Sequence, residues 1–405
     1  MTVTMIGLGG GNLSTLTQEG REALLSADLL IGAPRLLETL PQGCTENRTA
    51  ATRPQEILDC LLASGAKAPC VVYSGDTGFY SGTRGLLALL RERKLKARVL
   101  PGISSVQLLS ARLGRPWQDW TLCSAHGVHC DPVAAVMGGK SVFFLTGGAL
   151  CPQDLCRQLT EAGLGELSVT VGENLSYDKE RIISGTAEEL AKKTFEPLAV
   201  LLAEPAPIPV KRRTPGIADE AFLRGKVPMT KQEVRAAALG KLAVEPTDTV
   251  WDVGAGTGSV SVELALAAYR GSCWAVECVE EACDLIRQNR QRFGAWNLHL
   301  IEGKAPEALA ELPAPDAVFI GGTRGSMAEV VRTVLEKNPR ARICISAIAL
   351  ESLSAAIATL TAEGLRAEVS QIGVSRTKEA GKLHLLMANN PIFLVTGLPE
   401  EEGAR

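Results

Sequence analysis

WDVGAGTGSVSVELA, from Trp251 to Ala265, decides the fold of the second half of the chain. An apolar strand runs into Gly254, Gly256 and Gly258 and leaves as a helix. Glycine serves where a Cβ would obstruct a ligand or where φ is positive. The free N–H groups of the helix that follows point back at whatever the loop holds. The spacing is G-x-G-x-G. Ser259 stands where a dinucleotide loop carries its third glycine, and no phosphate-gripping P-loop occurs.

Outward from this loop, runs such as TVWDVGAG, GSCWAVE, LHLIEG, DAVFIGG, RICISAI and HLLMAN read as strands. VSVELALAAY, EEACDLIRQNRQRFG, MAEVVRTVLEKN and LESLSAAIATLTAEG read as helices between them. This alternation predicts βαβ crossovers and an α/β, doubly wound sheet. GSCWAVE ends at Glu277, where a carboxylate on the second strand tip can accept from a ribose diol. Gly303 to Ala305, in EGKAP, can flank an adenine. Loop, carboxylate and strand order together point to S-adenosylmethionine. Cys273, Cys278 and Cys283 read as small core residues.

The segment EPAPIPVKRRTPGIAD, Glu204 to Asp219, carries four prolines and predicts a linker over 206–215. That assigns 1–205 and 216–405 to separate domains. Before the linker, VTMIGLG, CVVYSG, KARVLPG, SVFFLTG, LSVTVGEN and LAVLLAE read as strands of a buried, mainly parallel sheet, with TLTQEGREALLSADLLIG as a helix. Three loops there are rich in glycine, serine or proline: MIGLGGGN, YSGDTGFYSG and LPGISS.

Composition narrows the partners. The 405 residues carry a net charge of −3 and only 4% aromatics. This argues against a nucleic-acid surface. No apolar run reaches the roughly 18–20 residues needed to cross a bilayer, and the first residues lack the pattern of a secretory signal. Eleven cysteines without a framework fit reduced thiols, so a cytoplasmic protein is expected. CSAHGVHC, with Cys123, His126, His129 and Cys130, matches no zinc spacing, and no metal is expected.

MTKQEVR predicts a capping box between Thr230 and Glu233, with a helix beginning at Thr230 and Lys231 and Arg235 on one face. Seven basic residues lie between Lys211 and Arg235, including Arg212, Arg213, Arg224 and Lys226. Two readings stand: a solvated face, or a lid that grips a polycarboxylate. Met229 likewise reads as ring-stacking or as core.

GIADEAFLRGKVPMTKQEVRAAALGKL, WDVGAGTGSVSVELA, PDAVFIGG and NPIFLVTG resemble the cobalamin-pathway precorrin methyltransferases that also decarboxylate their substrate. The likeness covers nearly all of 216–396. It implies S-adenosylmethionine held by Thr230, Gly254, Ala255, Gly256, Thr257, Gly258, Glu277 and Ala305. Arg224, Lys226, Lys231 and Arg235 would then meet a corrin precursor, with Lys231 and Arg235 as catalytic candidates. Lys304 stands where similar proteins carry an acidic residue.

The three N-terminal loops resemble those of the tetrapyrrole methylase family, over about 1–205. That implies a two-subdomain α/β fold with the same cofactor in its cleft, lined by Gly10, Ser74, Gly75, Asp76, Phe79, Ser104 and Ser105. Gly10 and Thr77 replace family prolines and are expected to loosen their loops. His126 is either on the substrate face of this cleft or a buried, satisfied histidine.

The resemblances together imply methylation at C5 by the first domain. At C15 they imply methylation by the second domain, with loss of CO₂ from the C12 acetate, and self-association of the chain. A methyltransferase acting on RNA or another small molecule, or a non-catalytic cofactor-binding protein, is the alternative.

Overall fold

The computed structural model describes residues 1–11, 13–127, 130–148, 150–208 and 214–398. Two compact units divide between Glu204 and Pro205, at the leading edge of the proline-rich stretch. Asp131–Gly139 and Glu161–Leu164 group with the second unit. Pro209, Lys211, Arg212 and Arg213 of the expected linker lie outside the described residues.

The first unit holds two five-stranded sheets. One contains β1 (Thr2–Gly7), β2 (Leu29–Gly32), β3 (Arg48–Ala50), β4 (Pro69–Tyr73) and β5 (Lys96–Leu100), in the order β3-β2-β4-β1-β5. All its pairings are parallel. The other contains β6 (Thr121–Ser124), β7 (Val142–Leu145), β8 (Ser168–Glu173), β9 (Arg181–Thr186) and β10 (Ala199–Ala203), in the order β6-β7-β10-β8-β9. Only β6–β7 is parallel; the remaining pairings are antiparallel.

The expectation of one mainly parallel sheet is therefore corrected. Runs that are apolar on both faces signal burial on both sides, and an antiparallel strand under helices satisfies that equally. The expected long helix over TLTQEGREALLSADLLIG also divides. Helix α1 (Gln18–Leu25) ends at Ser26, and Leu29–Gly32 is the buried strand β2. Thr17 caps α1 through the Gly20 N–H at 3.1 Å.

The second unit is built on a seven-stranded sheet. Its strands are β11 (Thr249–Val253), β12 (Ser272–Glu277), β13 (Leu298–Glu302), β14 (Ala317–Ile320), β15 (Arg342–Ala347), β16 (Arg366–Ile372) and, after a hairpin, β19 (Ile392–Leu398). The order is β13-β12-β11-β14-β15-β19-β16. The first five are parallel, and β19 runs antiparallel between β15 and β16. The switch point of the winding lies between β11 and β14, where such folds place ligands.

HLLMAN is not part of this sheet. It forms β18 (Leu383–Ala388), paired with β17 (Ser375–Ala380) as a separate hairpin whose leucines are exposed. Gly381, at φ +64, leaves only a tight turn between the two strands. So short a connection forces antiparallel pairing and cannot supply a crossover helix.

The segment before β11 is fixed by one buried cation. Helix α2 (Gln232–Leu242) carries Arg235, which is 0% exposed. Its Nη1 donates to Asp219 Oδ1 and its Nε to Glu263 Oε1, each at 2.8 Å. The Thr230 carbonyl accepts from Nη1 and the Ile217 carbonyl from Nη2, so four of the five N–H groups are bonded, and the guanidinium carbon lies 4.7 Å from the Phe222 ring centroid. Glu263 belongs to helix α3 (Ser259–Ala267) and also accepts the Gly216 and Ile217 N–H groups. Burial pushes the Asp219 carboxyl up, but hydrogen bonding and charge from Arg235, with Arg376 nearby, bring it below the ordinary carboxylate value.

Removing one partner of a buried ion pair costs about 3–5 kcal/mol. Arg235→Met should therefore lower the unfolding free energy of the second unit, read from a urea titration, by a margin of that order. Arg224→Met, on an exposed side chain, should leave it unchanged in the same urea titration.

Candidate functional site

The glycine loop after β11 is shaped by close backbone approach. Gly254 has φ +73, and a Cβ there would lie 2.2 Å from the Gly322 carbonyl oxygen. The two loops that flank the switch point thus touch without side chains. They form the floor of a cavity of about 820 Å³ at the carboxyl ends of the strands. Gly254, Ala255, Gly256, Glu277, Ala305, Thr230 and Lys231 all line it.

Glu277 holds the loop before any ligand arrives. Its Oε2 accepts the Gly256 N–H at 2.8 Å, while Oε1 accepts Cys278 and Val279 N–H groups at 2.8 and 3.0 Å. A carboxylate oxygen can accept twice, so Oε2 retains capacity for a hydroxyl donor. Beneath it, Asp252 is 1% exposed and accepts from Ser261 Oγ at 2.5 Å. Burial pushes its carboxyl up to about 7, with the Glu277 charge adding in the same direction.

Several expected residues do not reach the cavity. Arg235 is spent on the ion pairs above, so neither a substrate-binding nor a catalytic role stands. Arg224 and Lys226 are exposed and do not line the cavity; Lys226 offers its backbone N–H to Glu281 at 3.2 Å. Thr257 is buried, and its carbonyl accepts from Asn289 at 2.9 Å. Gly258, at φ +74, is the N-cap of α3 and packs against Ile286. Neither lines the cavity.

The expected capping box is also absent. Lys231 is the N-cap, the Asp219 carboxylate accepts the Gln232 N–H at 2.9 Å, and Glu233 pairs with Arg376 at 2.7 Å. Met229 both lines the cavity and packs against the core. Cys273 and Cys283 are buried as expected, whereas Cys278 is exposed on the cavity wall.

Sequence reasoning missed Arg324, Ser326, Asn389 and Asn390, which line the same cavity. Ser326 Oγ donates to the Ala305 carbonyl at 3.1 Å and ties the loops after β13 and β14 together. A signal was present for the asparagines: Asn390 opens NPIFLVTG, a stretch outside any generic glycine-loop pattern, and Asn389 precedes it.

In the first unit, loops after β1, β4 and β5 converge. A Cβ on Gly102 would meet the Gly75 and Gly7 carbonyl oxygens at 2.3 and 2.6 Å. Asp76 completes the junction, with Oδ1 accepting the Gly102 N–H at 3.0 Å and Oδ2 the Gly78 N–H at 2.8 Å. A cavity of about 260 Å³ opens here, bounded on the other side by Leu145, Gly172 and Leu175. Gly10, Ser74, Gly75, Asp76, Phe79, Ser104, Ser105 and His126 all line it. Arg35 and Tyr177, which carried no sequence signal, join them.

His126 is exposed, with Nδ1 3.4 Å from the Thr146 carbonyl, so the buried-histidine reading is overturned. The two positions expected to loosen their loops both carry hydrogen bonds. Gly10 donates to Thr15 Oγ1 at 3.0 Å and accepts from Ser176 Oγ at 2.8 Å, and Thr77 Oγ1 donates to the Leu100 carbonyl at 3.2 Å. His129 lies outside the described residues. Among the described residues no group of three or more His, Cys, Asp or Glu could hold a metal, and no helix is long and apolar enough to cross a membrane.

Fold and cavities together define an α/β protein with a glycine-floored ligand pocket in each unit. The precorrin methyltransferase domain family matches residues 220–396, and the tetrapyrrole (corrin/porphyrin) methylases match residues 2–191. A precorrin-6Y C(5,15)-methyltransferase (decarboxylating) from Sinorhizobium sp is 33% identical over 337 residues, 82% of this chain and 81% of its own. A probable cobalt-precorrin-6B C(15)-methyltransferase (decarboxylating) from Pyrobaculum calidifontis is 44% identical over 186 residues, 45% of this chain and 95% of its own. A crystal structure of precorrin-6y C5,15-methyltransferase from Geobacter metallireducens GS-15 superposes with a TM-score of 0.45 at 35% identity, covering 47% of this chain and all of that one. The chain belongs to the precorrin-6Y C(5,15)-methyltransferase (decarboxylating) family.

Asp252 gives a pH prediction. The folded protein keeps this proton to about pH 7, far above the ordinary value of 3.8. Its contribution is complete below that ordinary value and is lost as pH rises through 7, on the order of 4 kcal/mol in all. Asp252→Asn stays neutral throughout. Urea midpoints measured from pH 4 to 8 should therefore fall less for this variant than for the wild type.

Proposed function

We propose that each unit seats S-adenosylmethionine and transfers its methyl group to a precorrin-6 type ring. The first unit serves C5. The second serves C15 and releases CO₂ from the C12 acetate. The observation that carries this reading is the second-unit cavity: a glycine floor at the switch point, an acceptor at Glu277, and space for donor and ring edge together. Membership of the family supports the reaction class.

In this reading Glu277 Oε2 accepts a ribose hydroxyl, and the loop after β13 flanks the base. The electron-rich ring carbon attacks the sulfonium methyl. A C–C bond forms, the C–S bond breaks with its electron pair leaving on sulfur, and the ring carbon gives up its proton to water. The protein supplies alignment and exclusion of water. Lys231, which lines the cavity with Val227–Thr230, takes a ring carboxylate. The first unit works with smaller means: a cavity walled by backbone, Asp76 holding two loops, and His126 on the open side.

The test uses the full chain. Calorimetric titration with S-adenosylhomocysteine should give two sites per chain. Gly254→Val should remove one and Gly102→Val the other, since each side chain would occupy space held by backbone. With metal-free and cobalt-bearing ring substrates, mass spectrometry should count two added methyls and one lost CO₂ for the wild type. G254V should lose one methylation together with CO₂ release, and G102V the other methylation alone. One binding site per chain would contradict the reading for one unit, and none would favour a non-catalytic protein.

A further inference from the structure

Two exposed side chains line the first-unit cavity from neighbouring strands. Arg35 belongs to the short helix Pro34–Glu38, which follows β2, and Tyr80 to the loop that follows β4. β2 and β4 are parallel neighbours, with Ile31 beside Val71, so both segments leave the same edge of the sheet. β1 and β5 lie on the other flank of β4, and Gly7 and Gly102 of the glycine wall stand at their carboxyl ends. From β2 to β1 is two strand positions, about 10 Å at the usual spacing.

Among the described residues no other arginine or lysine lines this cavity, and no carboxylate lies within 4 Å of the Arg35 guanidinium. Asp76, the one carboxylate among the described lining residues, is committed to the Gly78 and Gly102 N–H groups. Arg35 therefore keeps its donors for an incoming acceptor, and its planar fork matches a carboxylate.

Tyr80 is held without being covered. Its hydroxyl donates to the Leu122 carbonyl of β6 at 3.0 Å, and its ring meets Phe79 edge-on with centroids 4.9 Å apart. Yet 54% of the residue is exposed. Its φ of +46 lies in the left-handed region, which an aromatic residue rarely adopts. Such backbone persists where the surrounding structure over-determines it, and it collects at ligand sites. A ring tied at its hydroxyl and open to solvent loses little side-chain freedom when a flat molecule stacks on it.

Resting on the functional reading of the first unit, we infer that Arg35 and Tyr80 seat its macrocyclic substrate. The donor lies along the glycine wall beside Asp76, whose negative charge suits a sulfonium. The macrocycle lies toward β2, its plane on the Tyr80 ring and one peripheral carboxylate on the Arg35 guanidinium. The stacking contact sets the height of the plane, and the carboxylate contact sets its rotation. Together they select which ring carbon faces the methyl group, the alignment on which transfer depends.

The test uses the full chain carrying Gly254→Val, in which the methyl added is the first unit's. Arg35→Gln should raise the KM for the macrocycle about fivefold at low salt, the effect of one exposed ion pair, with kcat and S-adenosylhomocysteine affinity unchanged. At about 0.5 M salt, where exposed charges are screened, the difference should shrink. Tyr80→Asn, whose side chain tolerates left-handed backbone, should raise the same KM about fivefold through loss of the aromatic contact. Tyr80→Phe keeps the ring and should stay close to the parent chain.

An unchanged KM for Arg35→Gln at low salt, or a Tyr80→Phe variant as impaired as Tyr80→Asn, would overturn the assignment. So would a loss of S-adenosylhomocysteine affinity that matches the rise in KM. A Gly254→Val chain that binds S-adenosylhomocysteine yet adds no methyl would instead overturn the functional reading of the first unit, and this assignment with it.

Discussion

A buried guanidinium must be met by acceptors on each of its nitrogens, and the second unit is organised around meeting that demand at Arg235. The two carboxylates and two carbonyls that surround it come from the stretch before α2 and from α3. The stretch from Gly216 to Lys231 has little regular structure of its own, only a short turn at Asp219–Ala221. It is nevertheless held in one place, because each end is tied to the same cation. That stretch includes Val227–Lys231 of the cavity lining. This part of the cavity is thus held by an electrostatic knot rather than by a sheet or helix. Its energy comes from mutual satisfaction, since an isolated buried charge would be strongly unfavourable.

The same knot explains what sequence reading could and could not reach. TVWDVGAG and its four companions were legible because β-branched runs between helical patterns have few other solutions. The glycine floor and Glu277 were legible for the same reason, their positions following from strand order. Arg235 was not. A basic residue one turn into a helix beside other basic residues reads as a solvated face, and only the fold shows that Asp219 and Glu263 come to it from sixteen residues before and twenty-eight after. Likewise, HLLMAN has a core strand's composition, and only its partner across Gly381 shows that it stands outside the sheet. Arg324 and the asparagines of the cavity wall belong to loops whose direction no periodicity encodes.

The two units build their pockets by different routes. In the second, side-chain acceptors shape the pocket: Glu277 anchors the glycine loop with three N–H bonds, and Ser326 ties the neighbouring loops. In the first, backbone meets backbone, and side chains mostly reinforce from behind, as Asp76 and Thr77 do. Where the family pattern has proline, Gly10 is tied by side chains instead: its N–H donates to Thr15 and its carbonyl accepts from Ser176.

The backbone junction of Gly7, Gly75 and Gly102 carries a consequence for how such a domain can diversify. Gly7 and Gly102 tolerate no added carbon, because a Cβ on either would meet the Gly75 carbonyl oxygen at 2.6 and 2.3 Å. A change in what the cleft accepts is sterically easier from the facing sheet, through Leu145, Leu175 and their neighbours. Rigid on one side and free to vary on the other, the cleft is a vise with one fixed jaw.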